Sequence, residues 1–90
     1  MKVTKHILIK GNVQGVMFRH YAKEKATSLK LTGTVRNTEY DVEIVVQGEQ
    51  ENVEKFIEWC RTGPRRAHVE EVSVKDLETI EEYTSFKIVY

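Results

Sequence analysis

Apolar and polar positions alternate in five stretches of the chain, and this alternation predicts five β-strands. Val42, Ile44 and Val46 share one face of the third stretch, which indicates a strand buried mainly on that side. Gly48 is expected to end that strand. The predicted strands are Thr4–Lys10, Leu31–Asn37, Val42–Gln47, Val69–Leu77 and Phe86–Tyr90.

Two other stretches carry apolar residues at intervals of three and four, which is the spacing of an amphipathic helix. The first helix is expected from about Phe18 to Leu29. The second is expected over Glu49–Arg61, and Gly63-Pro64 follows it as a stop signal.

The predicted order of elements is therefore βαββαβ, followed by one more strand. This order is typical of the α+β, ferredoxin-like sandwich. We expect an antiparallel sheet with both helices on one face, plus a short C-terminal strand. Because this fold supports many unrelated functions, function has to be argued from a site.

Size and charge narrow the class of protein. Ninety residues suit one domain, expected over residues 1–90. Fourteen basic residues balance fourteen acidic ones, so no nucleic-acid or membrane partner is expected. No stretch approaches the ~20 apolar residues of a membrane span, and no secretory leader is expected. Cys60 is the single cysteine, which excludes an internal disulfide and favours a reducing, cytoplasmic location.

The segment from Gly11 to Arg19 connects the first predicted strand to the first helix and carries candidate chemistry. A glycine-bearing loop that enters a helix can present its backbone N–H groups to an anion, and the helix N-terminus adds partial positive charge. The Arg19 guanidinium adds a fork of donors that suits phosphate oxygens. The segment therefore predicts an oxyanion site, most plausibly for a phosphoryl group.

Three stretches resemble signatures of the acylphosphatase family. Gly11-Asn12-Val13-Gln14-Gly15-Val16-Met17-Phe18-Arg19 matches the family's G-x-V-Q-G-V-x-F-R pattern at every fixed position. Gly33-Thr34-Val35-Arg36-Asn37 resembles its second pattern, G-[aromatic]-V-x-N. The stretch from Gly63 to Val72 is similar to the family's connection into the fourth strand.

The resemblance implies hydrolysis of an acyl phosphate to a carboxylate and inorganic phosphate by in-line attack of water, without a metal or cofactor. Arg19 would hold the phosphoryl group, and Asn37 would place the attacking water. A monomer is expected, with the small-molecule substrate and product as its only partners. The implied phosphate-binding residues are Gly11, Asn12, Val13, Gln14, Gly15, Val16, Met17 and Arg19.

The chain departs from the family patterns at two places. Thr34 stands where an aromatic residue is usual, and altered packing there could shift Asn37. The connection from Thr38 to Asp41 lacks the common Asp-Gly turn and is about one residue shorter.

Two other functions are compatible with this order of elements. A non-catalytic anion-binding module would keep the loop and lack turnover. An RNA-binding domain shares the βαββαβ order, but the third predicted strand lacks the stacking aromatics of such domains, and the net charge is zero. The three histidines are scattered and define no triad or metal site.

Overall fold

The computed structural model describes all residues, 1–90, as one α+β unit. It contains five strands and two helices in the predicted order. None of its helices is long and apolar enough to cross a membrane. The elements are β1 (Lys2–Asn12), α1 (Phe18–Ser28), β2 (Thr32–Asn37), β3 (Val42–Glu49), α2 (Gln50–Thr62), β4 (His68–Leu77) and β5 (Phe86–Ile88).

The five strands form one sheet in the order β4-β1-β3-β2-β5. Neighbouring strands are antiparallel except for β2 and β5, which pair in parallel. The predicted α+β, ferredoxin-like class is confirmed, but the sheet is mixed where an antiparallel one was predicted. Residues 78–85 lead from β4 at one edge of the sheet to β5 at the other edge, where β5 runs parallel to β2.

The helices cover one face of the sheet and enclose the core. Ile7, Ile44 and Val35 lie opposite one another on β1, β3 and β2, and each is fully buried. Phe18 and Ala22 of α1 and Phe56 of α2 pack into the same cluster. The alternation along the strands therefore places the apolar side chains under the helices, as the sequence pattern predicts.

The other sheet face is partly covered by the connection between β4 and β5. Gln47 lies on this face and is fully buried, although alternation alone predicts exposure. Its amide nitrogen donates to Thr4 Oγ1 and to the carbonyl of Glu81, and its amide oxygen accepts from the N–H of Tyr83. Gln47 thus fastens the crossing connection to the sheet.

Most predicted strands differ from the observed ones by one or two residues at an end, and β1 and β3 each end two residues later than predicted. β1 continues through Gly11 and Asn12, because both still pair with β4. Gly48 does not end β3, since that strand runs to Glu49 and Gly48 still pairs with Val3 of β1.

The two stretches that carry the candidate residues, Gly11–Arg19 and Gly33–Asn37, come together at one edge of the sheet. Ile9 on β1, Val42 on β3 and Asn37 on β2 lie in one row across the sheet. The C-terminal ends of β1 and β2 therefore meet the N-terminal end of β3 at this edge. The N-terminal end of β4 joins them, because His68 pairs with Asn12.

Candidate active site

The connection from Val13 to Met17 leaves its backbone N–H groups available. None of these five N–H groups donates a hydrogen bond to another backbone atom or to a side chain. The first turn of α1 adds further free N–H groups, as every helix start does. Consecutive free donors at the positive end of a helix form an arrangement that binds anions.

Backbone dihedral angles explain how these donors come together. Gly15 has φ of 76° and Met17 has φ of 60°, whereas Gln14 and Val16 do not have positive φ. Left-handed residues separated by one residue of negative φ allow successive N–H groups to turn to the same side, as they do in anion-binding loops. Met17 pays for this conformation with about 1 kcal/mol of strain, because its Cβ opposes positive φ.

Gly11 lies at the entry of the loop, where two backbones come close together. The register between β1 and β4 shifts between Lys10 and Gly11, and Gly11 has φ of 131°. A Cβ at this position would lie 2.2 Å from the carbonyl oxygen of His68. Only glycine allows this approach, so Gly11 lets β1 stay paired with β4 across the register shift, up to the start of the loop.

Gln14 connects the loop to the turn between β2 and β3. Its amide Nε2 donates to the carbonyl of Thr38 at 2.9 Å and to that of Asp41 at 2.8 Å. The same turn is closed by the N–H of Thr38 donating to Asp41, and by the Thr38 hydroxyl accepting from the N–H of Asp41. Because Thr38 directly follows Asn37, Gln14 fixes the loop relative to the end of β2.

Asn37 ends β2 on the face that carries the helices. Val35 is fully buried under those helices, and residues two apart in a strand share a face. Asn37 lies two strands from Ile9, or about 10 Å at the usual strand spacing. It is half-buried. The fold therefore brings Asn37 to the edge and the face from which the loop leaves β1.

Arg19 lies in the first turn of α1, one residue after the buried Phe18. Its guanidinium carbon is 5.0 Å from the centre of the Tyr90 ring, and Tyr90 follows β5, the neighbour of β2. Arg19 therefore lies on the flank of α1 that faces β2 and Asn37. No carboxylate forms an ion pair with it. A half-buried cation at the positive end of a helix favours an anion as its partner.

The remaining predicted loop residues have distinct surroundings. Val13 is 1% exposed and belongs to the core cluster, whereas Val16 packs partly against that cluster. Asn12 is exposed at the end of β1. The side chains of these two valines and of Met17 carry no hydrogen-bond donor. These residues can therefore bind an anion only through their backbone N–H groups.

One charged cluster on the open sheet face was missed by sequence reasoning. His6 Nε2 lies 2.9 Å from Glu43 Oε2, and Arg36 Nε donates to Glu43 Oε1 at 2.6 Å. These hydrogen bonds, that of His6 first, lower the pKa of Glu43. The register of β1, β3 and β2 creates the cluster, and no local motif in the sequence announces it.

Neither Cys60 nor a cluster of possible metal ligands forms a second candidate active site. Cys60 is fully buried on α2, and burial raises the pKa of its thiol. No group of three or more His, Cys, Asp or Glu side chains is placed to hold a metal ion. At this edge of the sheet, a ligand would meet the free backbone N–H groups of Val13–Met17, the Arg19 guanidinium and the Asn37 amide. This set of groups is chemically suited to an oxyanion, and the fold that holds it is that of a small α+β protein.

Comparison with known proteins narrows that class. Residues 5–88 match the model of the acylphosphatase family. An acylphosphatase from Marinobacter nauticus is 45% identical over 83 residues, which cover 91% of this chain and 90% of the relative. The crystal structure of the acylphosphatase from Bacillus subtilis superposes with a TM-score of 0.94 at 33% identity, and the match covers 100% of both chains. An acylphosphatase structure from Coxiella burnetii gives 0.93 at 36% identity, covering 98% of this chain and 93% of that one.

The chain belongs to the acylphosphatase family. It is a hydrolase, and its substrates are acyl phosphates. The resemblance seen in the three sequence signatures is thereby confirmed over nearly the whole chain.

Proposed function

We propose that the protein hydrolyses acyl phosphates by direct attack of water at phosphorus, with Arg19 and Asn37 as its catalytic residues. The phosphoryl oxygens bind to the free N–H groups of Val13–Met17 and to the Arg19 guanidinium. The observation that supports this most strongly is the placement of five free N–H groups, an unpaired arginine and Asn37 at one edge of the sheet.

The chemistry of the substrate explains why so few groups suffice. A new bond forms between the water oxygen and phosphorus, and the bond from phosphorus to the acyl oxygen breaks. The electron pair of that bond leaves with the carboxylate, and the protons of the water pass to phosphate and solvent. Because a carboxylate is a good leaving group, a general acid contributes little. Charge stabilisation and alignment supply most of the rate enhancement.

Asn37 has the role of placing the water. Its amide oxygen accepts a hydrogen bond from the water, and this directs a lone pair of the water oxygen toward phosphorus. Holding both reactants in attack geometry removes several kcal/mol from the barrier. Gln14 supports this arrangement from outside, since it ties the loop to the residue that follows Asn37.

The position of bond cleavage tests the proposal. Hydrolysis of benzoyl phosphate in water labelled with ¹⁸O is expected to place the label in inorganic phosphate, because water attacks phosphorus. Label in benzoate would show attack at the carbonyl carbon and would overturn the mechanism. A rate no higher than that of the uncatalysed reaction would favour the non-catalytic, anion-binding alternative.

Location and assembly belong to the proposal as well. We propose a cytoplasmic monomer, which is supported by a single, buried and unpaired cysteine. Cell fractionation and size-exclusion chromatography with light scattering test the two statements. A membrane-associated fraction or a mass of two chains would contradict them.

A further inference from the structure

A groove of about 960 Å³ lies beside the phosphate-binding loop, between α1, the end of α2 and the turn that follows α2. Gly15, Val16 and Met17 of the loop form one end of it. Neither Arg19 nor Asn37 lines it. The groove is therefore continuous with the loop but separate from the two proposed catalytic side chains.

The floor of the groove is aromatic and rigid. Trp59 lies 5.5 Å from Phe18 and 5.9 Å from Phe56, measured between ring centres, so both core rings hold it in place. Tyr21 is 43% exposed and Met17 is 62% exposed beside it. Such a surface suits a flat, apolar group.

Three cations surround this floor. Arg65 and Arg66 occupy the tip of a turn that is closed by the N–H of Ala67 donating to Pro64. Lys25 lies on the α1 side, and none of the three forms an ion pair. Glu24 is the single carboxylate in the lining, and it pairs with His20 at 3.3 Å. The rim of the groove therefore favours a negatively charged group.

The geometry of the reaction points the substrate toward this groove. Arg19 is rotated about 100° from Phe18 around α1, whereas Tyr21 is rotated about 60° in the opposite sense. Asn37 and β2 lie on the Arg19 flank, and the groove lies on the Tyr21 flank. In an in-line displacement the leaving group departs opposite to the attacking water. Water held by Asn37 therefore directs the acyl group away from β2 and toward the groove.

We infer that this groove is the acyl-binding subsite, and that it selects acyl phosphates whose acyl group is aromatic or apolar and ends in a negative charge. The inference rests on the proposed function, because it uses the in-line geometry. The apolar part lies against Tyr21 and Trp59, and the distal anion lies between Arg65 and Arg66. From the sequence alone, Arg65 and Arg66 form a small basic spot that is compatible with an acidic partner or with a solvated loop.

Three substrates of graded structure test the inference: acetyl phosphate, benzoyl phosphate and 4-carboxybenzoyl phosphate. The wild-type kcat/KM is expected to rise in that order. In Arg65→Ala/Arg66→Ala, the preference for 4-carboxybenzoyl over benzoyl phosphate is expected to fall by about three- to tenfold at low ionic strength, as for two exposed charges. In Tyr21→Ala, the preference for benzoyl over acetyl phosphate falls instead.

A matched control removes two cations elsewhere. Lys75 and Lys87 lie on the open sheet face, and Lys75→Ala/Lys87→Ala changes the net charge by the same amount. This control is expected to keep the wild-type preferences. An equal loss of preference in the control would show a general field effect and would overturn the subsite.

The outcomes also separate this inference from the proposed function. If acetyl phosphate is hydrolysed but the wild type and Arg65→Ala/Arg66→Ala show the same preference for 4-carboxybenzoyl over benzoyl phosphate, the subsite is refuted and the hydrolytic mechanism stands. If the wild type hydrolyses none of the three, the proposed function itself fails. Loss of the carboxylate preference in the wild type at high salt would support the placement of the anion between exposed guanidinium groups.

Discussion

At the scale of single residues, the binding loop depends on backbone conformations that most side chains resist. Gly15 and Met17 both have positive φ, and Gly11 has a backbone carbonyl where a Cβ would lie. Such conformations allow successive N–H groups to turn toward one centre, as in anion-binding loops.

The two loop glycines are expected to respond differently to alanine. Gly15→Ala should lower the free energy of unfolding by about 1 kcal/mol, because open space surrounds the new methyl and only φ opposes it. Gly11→Ala should cost roughly 2–5 kcal/mol, because its methyl meets the backbone of His68 and Glu70. Urea unfolding of both variants measures the difference, and equal losses would contradict the described approach of β1 to β4.

A second residue-scale prediction concerns acid stability. The hydrogen bond from His6, and then the bond and charge of Arg36, lower the pKa of Glu43 from its ordinary value of 4.5, against a raising effect of burial. Since the pKa is lower in the folded state, Glu43 stabilises the fold fully above about pH 4.5 and loses this contribution as the pH falls through the lowered pKa.

Glu43→Gln is therefore expected to be less stable than the wild type at neutral pH. The difference should shrink as the pH falls through the lowered pKa of Glu43, because the wild-type carboxyl then becomes protonated too. Glu39→Gln serves as the control, since Glu39 is exposed in the turn and forms no ion pair. A difference for Glu43→Gln that stays constant across this pH range would rule out the carboxylate as its source.

At the scale of elements, the proposed function requires a fixed position of the Val13–Met17 loop relative to the end of β2. The residues that join them, Gln14 and Thr38, are 24 positions apart in the chain. Gln14 holds them together with two hydrogen bonds to the β2–β3 turn. Replacing it by methionine keeps the length of the side chain and removes both donors. The carbonyl of Thr38 then loses its protein partner, whereas the carbonyl of Asp41 still accepts from the N–H of Thr38.

Gln14→Met is expected to destabilise the protein by about 1–3 kcal/mol and to lower kcat, because the loop and Asn37 lose their common anchor. Gln50→Met is the matched control, since the Gln50 amide makes one exposed hydrogen bond to Glu54. Thermal unfolding and turnover of acetyl phosphate provide the two readouts. Equal behaviour of the two variants would mean that the Gln14 amide does not couple the elements.

Thr34 and Asn37 lie on opposite faces of β2, which limits the effect that Thr34 can have on turnover. Thr34 lies beside Val45 and Lys87 on the open face, whereas Asn37 shares the opposite face with Val35. Thr34→Tyr, which restores the usual aromatic residue, is therefore expected to change kcat by less than about threefold. Val35→Thr is a change on the other face and should cost about 1–3 kcal/mol by burying a hydroxyl. A large gain in kcat for Thr34→Tyr would show coupling between the faces.

Much of this architecture could be predicted from sequence because its signals are local. Alternation and helical spacing predicted the order of elements, and two glycine-bearing motifs singled out the loop and Asn37. The catalytic roles of Arg19 and Asn37 stay predictions until turnover is measured. The parallel pairing of β5, the burial of Gln47 and the carbonyl partners of Gln14 could not be predicted. Each depends on a contact between segments far apart in the chain, which local periodicity does not encode.

At the scale of the whole molecule, three regions with different proposed roles surround the Val13–Met17 loop. The core under the helices holds Val13 and Phe18, and so fixes both ends of the loop. The β2 side presents Arg19 and Asn37, and the α2 side presents the groove. We therefore expect phosphate binding and water placement to depend on different residues, which substitution can separate.

This separation is tested most directly by measuring kcat for acetyl phosphate and the Kd for inorganic phosphate in the wild type, Asn37→Ala and Arg19→Ala. Asn37→Ala is expected to lose at least about 100-fold in kcat, because its water is no longer aligned. Its Kd for phosphate should stay close to that of the wild type. Arg19→Ala should lose both turnover and phosphate affinity, since it removes the charged donor. Equal kcat in the wild type and a folded Asn37→Ala would contradict the central claim that Asn37 places the attacking water.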